Sequence, residues 1–384
     1  MKKLLIAVLC LMLTGCAAPA PSDGSGPDRS VSPDIPAPSP AASSAPNGES
    51  GPPQASPETD PETAENPSAS QEPSESSLGP QNQEQIIQEL LSAMTLEEKV
   101  GQMFFVRCPE TGGAELAAQY KVGGYLLFGR DFKDKTAQQV RDDIQSYQDA
   151  SGIPLLIGTD EEGGTVVRAS SNPDLFPQRE PAPQTLFAQG GMDLILQDAR
   201  QKSMTLLDLG VNVNFAPVAD VSTDPADFIY ARSFGQDAQA TANYVAQVVG
   251  VMGEEQIGSV LKHFPGYGNN VDTHTGIALD QRPYETFQTS DFLPFQAGIQ
   301  AGADAVLVSH NIAASMDESL PASLSPTVHK ILREELGFDG VVLTDDLAMD
   351  AVMEYAQNGS AAVLAIQAGN DMVVTTDFQT QIPP

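Results

Sequence analysis

Gly340-Val341-Val342-Leu343-Thr344-Asp345-Asp346-Leu347 is a β-branched and aliphatic run that ends on two adjacent carboxylates. A short run that is apolar at every position, rather than at alternate ones, suits a strand buried on both faces, as in a parallel sheet. Runs of the same kind lie at Met103–Val106, Gly124–Phe128, Pro154–Gly158, Val211–Phe215, Ser259–Leu261, Ala305–Ser309 and Asp371–Thr375, with helical patterns between them. The helices have readable ends. Thr95 and Glu98 make a capping box ahead of the first strand. Ser325-Pro326 is a cap followed by a first-turn proline, and Gly337 closes that same helix.

Repeated strand and helix units place the chain in the α/β class. No Gly-x-Gly-x-x-Gly fingerprint follows the first strand, so a (β/α)8 TIM barrel fits better than an open doubly wound sheet. Such barrels carry their chemistry at the C-terminal ends of the strands. Asp160, Asp220, Lys262-His263, His310 and Asp345-Asp346 follow five consecutive predicted strands, which chance placement would not produce. The stretch after the last strand, Phe378–Ile382, is too short for an eighth helix. The last helix is therefore expected to be missing, with apolar surface exposed between the first and eighth strands.

The barrel is assigned to residues 83–384. Residues 1–16 have the charged start, the apolar run Leu4–Leu13 and the small-residue end of a secretory signal, and that run is too short to span a bilayer. Residues 17–82 contain no aromatic residue, and Val31, Ile35 and Leu78 are their only larger aliphatics. They hold half of the chain's 30 prolines, with acids far outnumbering the single Arg29. This composition cannot offset ordering entropy by burial, so it reads as a disordered, self-repelling linker with a reach of roughly 45 Å. A net charge of −32 argues against nucleic acid or an anionic lipid surface as partner. Of the cysteines, Cys10 lies in the signal and Cys16 ends it, which leaves Cys108 as a small core residue with no internal disulfide partner.

Lys262-His263-Phe264-Pro265-Gly266-Tyr267-Gly268-Asn269-Asn270-Val271-Asp272-Thr273-His274 begins at a strand end and continues into a loop rich in Gly and Asn. An Asp two residues before a His can orient the imidazole and stabilise its protonated form, although the same tripeptide also suits a simple turn. The chain lacks a His-Glu-x-x-His motif or a Cys cluster, so no metal or other cofactor is expected. Spacing alone leaves open an oxygen-only Mg²⁺ site on Asp160, Glu161 and Asp345.

Six segments, in order, resemble the successive motifs of family 3 β-N-acetylglucosaminidases. They are Met94–Gln102, Asp160-Glu161-Glu162-Gly163-Gly164, Asn214–Asp220, Arg232-Ser233-Phe234, the Lys-His-Phe-Pro-Gly segment and Thr344-Asp345-Asp346-Leu347. The Asp272-Thr273-His274 triplet is similar to the Asp-Ser-His of that branch, which the family's β-glucosidases lack. The resemblance implies a retaining exo-β-N-acetylglucosaminidase acting on terminal β-N-acetylglucosamine of cell-wall or related glycans through a glycosyl-Asp intermediate. Asp345 would then be the nucleophile, and His274 paired with Asp272 the general acid and base. Asp160, Arg168, Arg232, Lys262 and His263 would bind the sugar in the −1 subsite. Leu13-Thr14-Gly15-Cys16 resembles a lipobox, which implies a Cys16-lipidated protein on the outer face of a bacterial cell membrane; separately, a monomer is expected.

Tyr267 stands where this branch has His, Thr165 stands where an Arg follows the double Gly, and the loop from Gly268 to Asp272 is shorter. An imidazole acid does not repel phosphate as a carboxylate would, so phosphorolysis stays an alternative. A β-glucosidase and a non-catalytic glycan-binding lipoprotein are the others.

Overall fold

The computed structural model describes residues 80–273, 276–353, 355, 361–378 and 382. The proposed signal, Cys16, the 17–79 part of the linker and His274 lie outside the described residues. The first described element, the helix Pro80–Ala93, opens within the last three positions assigned to the linker.

Eight parallel strands close into a barrel. They are β1 (Phe104–Arg107), β2 (Gly124–Leu127), β3 (Leu156–Thr159), β4 (Val213–Asn214), β5 (Gly258–Phe264), β6 (Ala305–Val308), β7 (Val341–Asp346) and β8 (Met372–Thr375). Each pairs with the next in sequence, and β8 returns to β1 with Phe104, Phe105 and Val106 opposite Val373, Val374 and Thr375. Every one overlaps an apolar run picked out above, but β5 continues through Lys262-His263 to Phe264 and β7 through Asp345-Asp346, so these residues lie in the last part of their strands and not after them.

The alternation of a strand explains why those runs are apolar throughout. Phe105, Leu126, Leu156, Val213, Phe215, Val260, Leu307, Leu343 and Val374 point inward and fill the barrel, where Phe105 and Phe215 meet edge to face at 5.2 Å. Their neighbours Phe104, Val106, Tyr125, Ile157, Leu261, Val306, Val342 and Val373 point outward and pack under the helices. Thr95 accepts from Glu98 N–H and Glu98 accepts from Thr95 N–H, completing the predicted capping box. Ser325 caps the helix that begins at Pro326, and Gly337 takes a φ of 71° beyond that segment's end. Cys108 is a buried free thiol pushed up to about 12, first by burial and then by the Asp131 charge.

No eighth barrel helix appears among the described residues. The seam is nevertheless largely covered. Val106 and Val373 are buried, and Phe378 and Ile382 are buried as well, with the Phe378 ring 5.8 Å from Tyr120. Among the described residues, the exposed large apolar side chains on the approach to β1 are Leu96 and Val100 of the helix Leu96–Gly101, 74% and 38% exposed. A second sheet of two very short strands, Leu279–Asp280 and Ile312–Ala313, was not expected. Two-residue strands carry no periodicity to read.

Candidate active site

The strands β3, β4 and β5 deliver a connected ring of charges to the C-terminal mouth of the barrel. Lys262, on β5 and only 2% exposed, places Nζ 2.7 Å from Asp160 Oδ1 and 2.6 Å from Glu162 Oε1. Glu162 in turn takes a fork from Arg232, whose Nε and one terminal nitrogen lie 3.0 and 2.7 Å from its two oxygens. The bidentate geometry fixes the plane of the guanidinium as well as its position. Burial alone would raise the Glu162 carboxyl, but the Lys262 ammonium and the Arg232 guanidinium override it and hold the group well below the usual carboxylate range. Arg168 lies further out, 3.5 Å from Asp160 Oδ2, with its guanidinium 5.2 Å from the Phe128 ring centroid.

His263 continues the ring. Its Nε2 is 3.1 Å from an Arg232 nitrogen that can only donate, so Nε2 accepts and Nδ1 donates to Asp220 Oδ2 at 2.7 Å. Asp220 also accepts the N–H groups of His263 and Tyr267, at 3.1 and 2.8 Å. A buried aspartate with three donors aimed at it fixes the imidazole and the start of the following loop together. The Lys262–His263 peptide is cis.

The loop after β5 needs its glycines. Gly266 and Gly268 have φ of 124° and 53°, and a Cβ on either would run into Asp291 or Arg282, respectively. Arg282 bridges Asp280 at 2.7 Å and Asp291 at 3.0 Å, and Asn270 joins the same group through Asp280 at 2.8 Å. Half-buried Asp272 lies on this loop.

The adjacent acids of β7 have different surroundings. Asp346 accepts from Ala348 N–H and Thr376 N–H through Oδ1 and from the Thr376 hydroxyl through Oδ2, at 3.0, 2.9 and 2.7 Å. Both its oxygens are committed to tying β7 to the chain after β8. Asp345 accepts the Asp346 N–H at 2.9 Å, and its charge acts on the Tyr267 phenol across the mouth. His310 is an internal brace: its ring joins the Ser323 hydroxyl at 2.7 Å and the Asp346 carbonyl at 3.0 Å.

Asp160, Arg168, Arg232, Lys262 and His263 are thus brought together as the sequence suggested, with Asp345 on β7 and Asp272 on the β5 loop. Glu162 and Asp220, which hold that group in place, were not among the residues assigned a role. The signal for Glu162 was its place in a run of three acids directly after a buried strand. Its neighbour Glu161 faces inward, accepting from the N–H groups of Arg168, Ala169 and Ser170 and from the Ser170 hydroxyl. With Glu161 committed to its own loop and Asp160 to Lys262 and Arg168, the oxygen-only Mg²⁺ arrangement loses two of its three carboxylates.

Residues 95–382 match the glycosyl hydrolase family 3 N-terminal domain. A β-hexosaminidase of Stenotrophomonas maltophilia (strain R551-3) is 36% identical over 275 residues, which is 68% of this chain and 80% of the relative. Among solved structures, a family 3 β-N-acetylglucosaminidase from Paenibacillus sp. str. FPU-7 superposes with a TM-score of 0.68 at 30% identity. That match covers 75% of this chain and 56% of the longer Paenibacillus chain. A β-N-acetylhexosaminidase from Beutenbergia cavernae DSM 12333 matches with a TM-score of 0.65 at 29% identity, covering 74% of this chain and 88% of its own. With the barrel, the charged mouth and these matches in agreement, the chain belongs to glycosyl hydrolase family 3 and is a glycoside hydrolase.

Proposed function

We propose that this protein is a retaining exo-β-N-acetylglucosaminidase that removes terminal β-N-acetylglucosamine from cell-wall or related glycans. The observation that carries the reading is the ring Asp160–Lys262–Glu162–Arg232–His263–Asp220 at the barrel mouth. It offers a carboxylate, an ammonium and guanidinium N–H groups at fixed positions, a donor and acceptor set suited to ring hydroxyls, while the His263 imidazole, engaged at both nitrogens, holds Arg232 in place. Support for the N-acetyl specificity comes from the Asp272-Thr273-His274 triplet and from the β-hexosaminidase relatives.

In this reading Asp345 attacks the anomeric carbon, forming a glycosyl ester as the leaving oxygen takes a proton from His274. His274 then removes a proton from water, which attacks the same carbon and releases Asp345. Asp272 orients the imidazole and favours its protonated form. Of the two acids of β7, Asp346 has both oxygens bound to Thr376 and Ala348, which suits a structural role, and the family resemblance supports Asp345 as nucleophile.

The same reading places the protein on the outer face of a bacterial cell membrane through a lipid on Cys16, with the acidic, proline-rich segment as tether. The signal-like Met1–Cys16 segment supports it. Turnover of nitrophenyl glycosides of N-acetylglucosamine and glucose, compared in phosphate buffer, tests the activity. Free N-acetylglucosamine as main product is expected. Preference for the glucoside, release of sugar 1-phosphate, or binding without turnover would each refute it.

A further inference from the structure

Tyr267 is held at every polar atom. Its N–H donates to Asp220 Oδ1 at 2.8 Å, its carbonyl accepts from Asn270 Nδ2 at 2.8 Å, and its hydroxyl is hydrogen-bonded to the Thr273 hydroxyl. The ring is 1% exposed, stands edge-on to the His263 imidazole at 5.3 Å and has Phe228 on another side at 5.7 Å. Thr273 is fully buried as well. The loop from Pro265 to Thr273 is therefore closed on itself, with Tyr267 joining its beginning to its end. Burial, and next the Asp345 charge, push the phenol well above its ordinary value, so it stays a protonated hydroxyl able to hydrogen-bond.

The position of Thr273 gives this contact its meaning. It lies between Asp272 and His274, the pair assigned above as orienter and acid, so a bond that fixes Thr273 fixes the backbone between them. Placement to within about 0.5 Å matters for proton transfer to a departing oxygen.

We infer that Tyr267 is a positioning residue for general acid catalysis: its hydroxyl, bonded to Thr273, fixes the residue through which Asp272 is joined in the chain to His274. The inference rests on His274 being the acid of the proposed reaction. Tyr267 itself transfers no proton to substrate. A hydroxyl pair that merely satisfied itself in a buried place would affect stability and leave the dependence on leaving group unchanged.

The test compares kcat/KM on two substrates, the β-1,4-linked disaccharide of N-acetylglucosamine and the 2,4-dinitrophenyl N-acetylglucosaminide. It uses the unaltered enzyme, Tyr267→Phe, Thr273→Val, Thr273→Ser, the Tyr267→Phe/Thr273→Val double variant and His274→Ala. Tyr267→Phe and Thr273→Val should each lower kcat/KM on the disaccharide by about tenfold, the equivalent of one misplaced hydrogen bond, and change the activated substrate by less than about twofold. The double variant should be no worse than either single one, and Thr273→Ser, which keeps the hydroxyl, should retain the activity. Equal losses on both substrates, additive losses in the double variant, or a Thr273→Ser as impaired as Thr273→Val would overturn the inference. If His274→Ala shows the leaving-group dependence and Tyr267→Phe does not, the acid stands and the positioning role falls. If His274→Ala shows none, both fall.

Discussion

Glu162 and Lys262 meet across β3 and β5 at 2.6 Å between Oε1 and Nζ, with 2% of each side chain exposed. Two charges this deep repay their desolvation only because further partners complete them, Arg232 on the carboxylate and Asp160 on the ammonium. Glu162→Gln would leave two buried cations short of an anion. A loss of about 3–5 kcal/mol is expected, read as a fall in the thermal midpoint, together with a loss of kcat/KM. Glu162→Gln/Lys262→Met, which removes one stranded charge, should unfold later than Glu162→Gln alone. The carboxyl is depressed in the folded state, so its stabilisation is complete above its ordinary 4.5 and is lost as pH falls below that. Melting curves of Glu162→Gln should accordingly be flatter than those of the parent below about pH 4.5.

A second buried cluster behind the mouth should respond in the opposite direction. Lys202 lies 3.0 Å from Asp198 and 3.5 Å from Glu180, one cation facing two carboxylates. The ion pair and the titration pull against each other here. We favour a protonated Glu180, because Asp198 already balances the ammonium and burial, ahead of the neighbouring acids, pushes Glu180 up to about 8. A raised value means stability that is full below the ordinary 4.5 and declines as pH rises toward 8. Glu180→Gln should abolish that decline, so its melting temperature should gain on the parent between pH 5 and pH 8, by about 2–4 °C for each kcal/mol. A Glu180→Gln that melts progressively earlier than the parent over that range would show the group to be ionised.

The neighbouring acids of β7 should separate cleanly. Asp346→Asn keeps an acceptor for Thr376 but weakens a charge-assisted bond, so it should cost about 1–2 kcal/mol of stability and leave measurable turnover. Asp345→Asn should leave the melting temperature within a few degrees of the parent and abolish turnover of disaccharide and dinitrophenyl glycoside alike. Circular dichroism melts and steady-state rates on the pair of variants check both halves.

Asp272→Asn is nearly isosteric, so the loop should keep its fold; if Asp272 orients His274 as proposed, the substitution removes the negative charge that favours the protonated imidazole. Less of the protonated acid should then be available as pH rises. The alkaline limb of the pH profile for the disaccharide should move to lower pH, with rates near neutrality down by about 10²-fold at most. An unchanged profile would show that Asp272 does not act through the imidazole.

Much of the barrel was legible because each strand must be apolar on two faces, as Phe105 inside and Phe104 outside illustrate. The position of Asp160, Lys262-His263 and Asp345 near the C-terminal ends of strands was legible because ionisable residues follow the apolar runs there, although β5 continues through buried Lys262 and His263 to Phe264 and β7 through Asp345 to Asp346. Which cation meets which acid was not. Asp160, Glu161 and Glu162 are consecutive and chemically alike, yet backbone direction sends Asp160 to Lys262 and Arg168, Glu161 into its own loop and Glu162 to Lys262 and Arg232. The resemblance names Asp345 and not Asp346 as nucleophile, but the hold of Thr376 on Asp346 could not be read, because the approach of Thr376 to β7 follows from barrel closure and from no local pattern. The burial of Phe378 against Tyr120 was missed because the few residues after the last strand carry no periodicity to read.

The central claim is that Asp345 carries the sugar through the reaction. Incubation with a 5-fluoro N-acetylglucosaminyl fluoride, which slows breakdown of a glycosyl ester, followed by digestion and mass spectrometry of the labelled peptide, tests it most directly. The account predicts one added sugar on the peptide containing Thr344-Asp345-Asp346, mapped by fragmentation to Asp345 and absent from Asp345→Asn. Label on Asp346, Glu161 or Glu162, or no covalent adduct from an enzyme that turns over the parent glycoside, would contradict it.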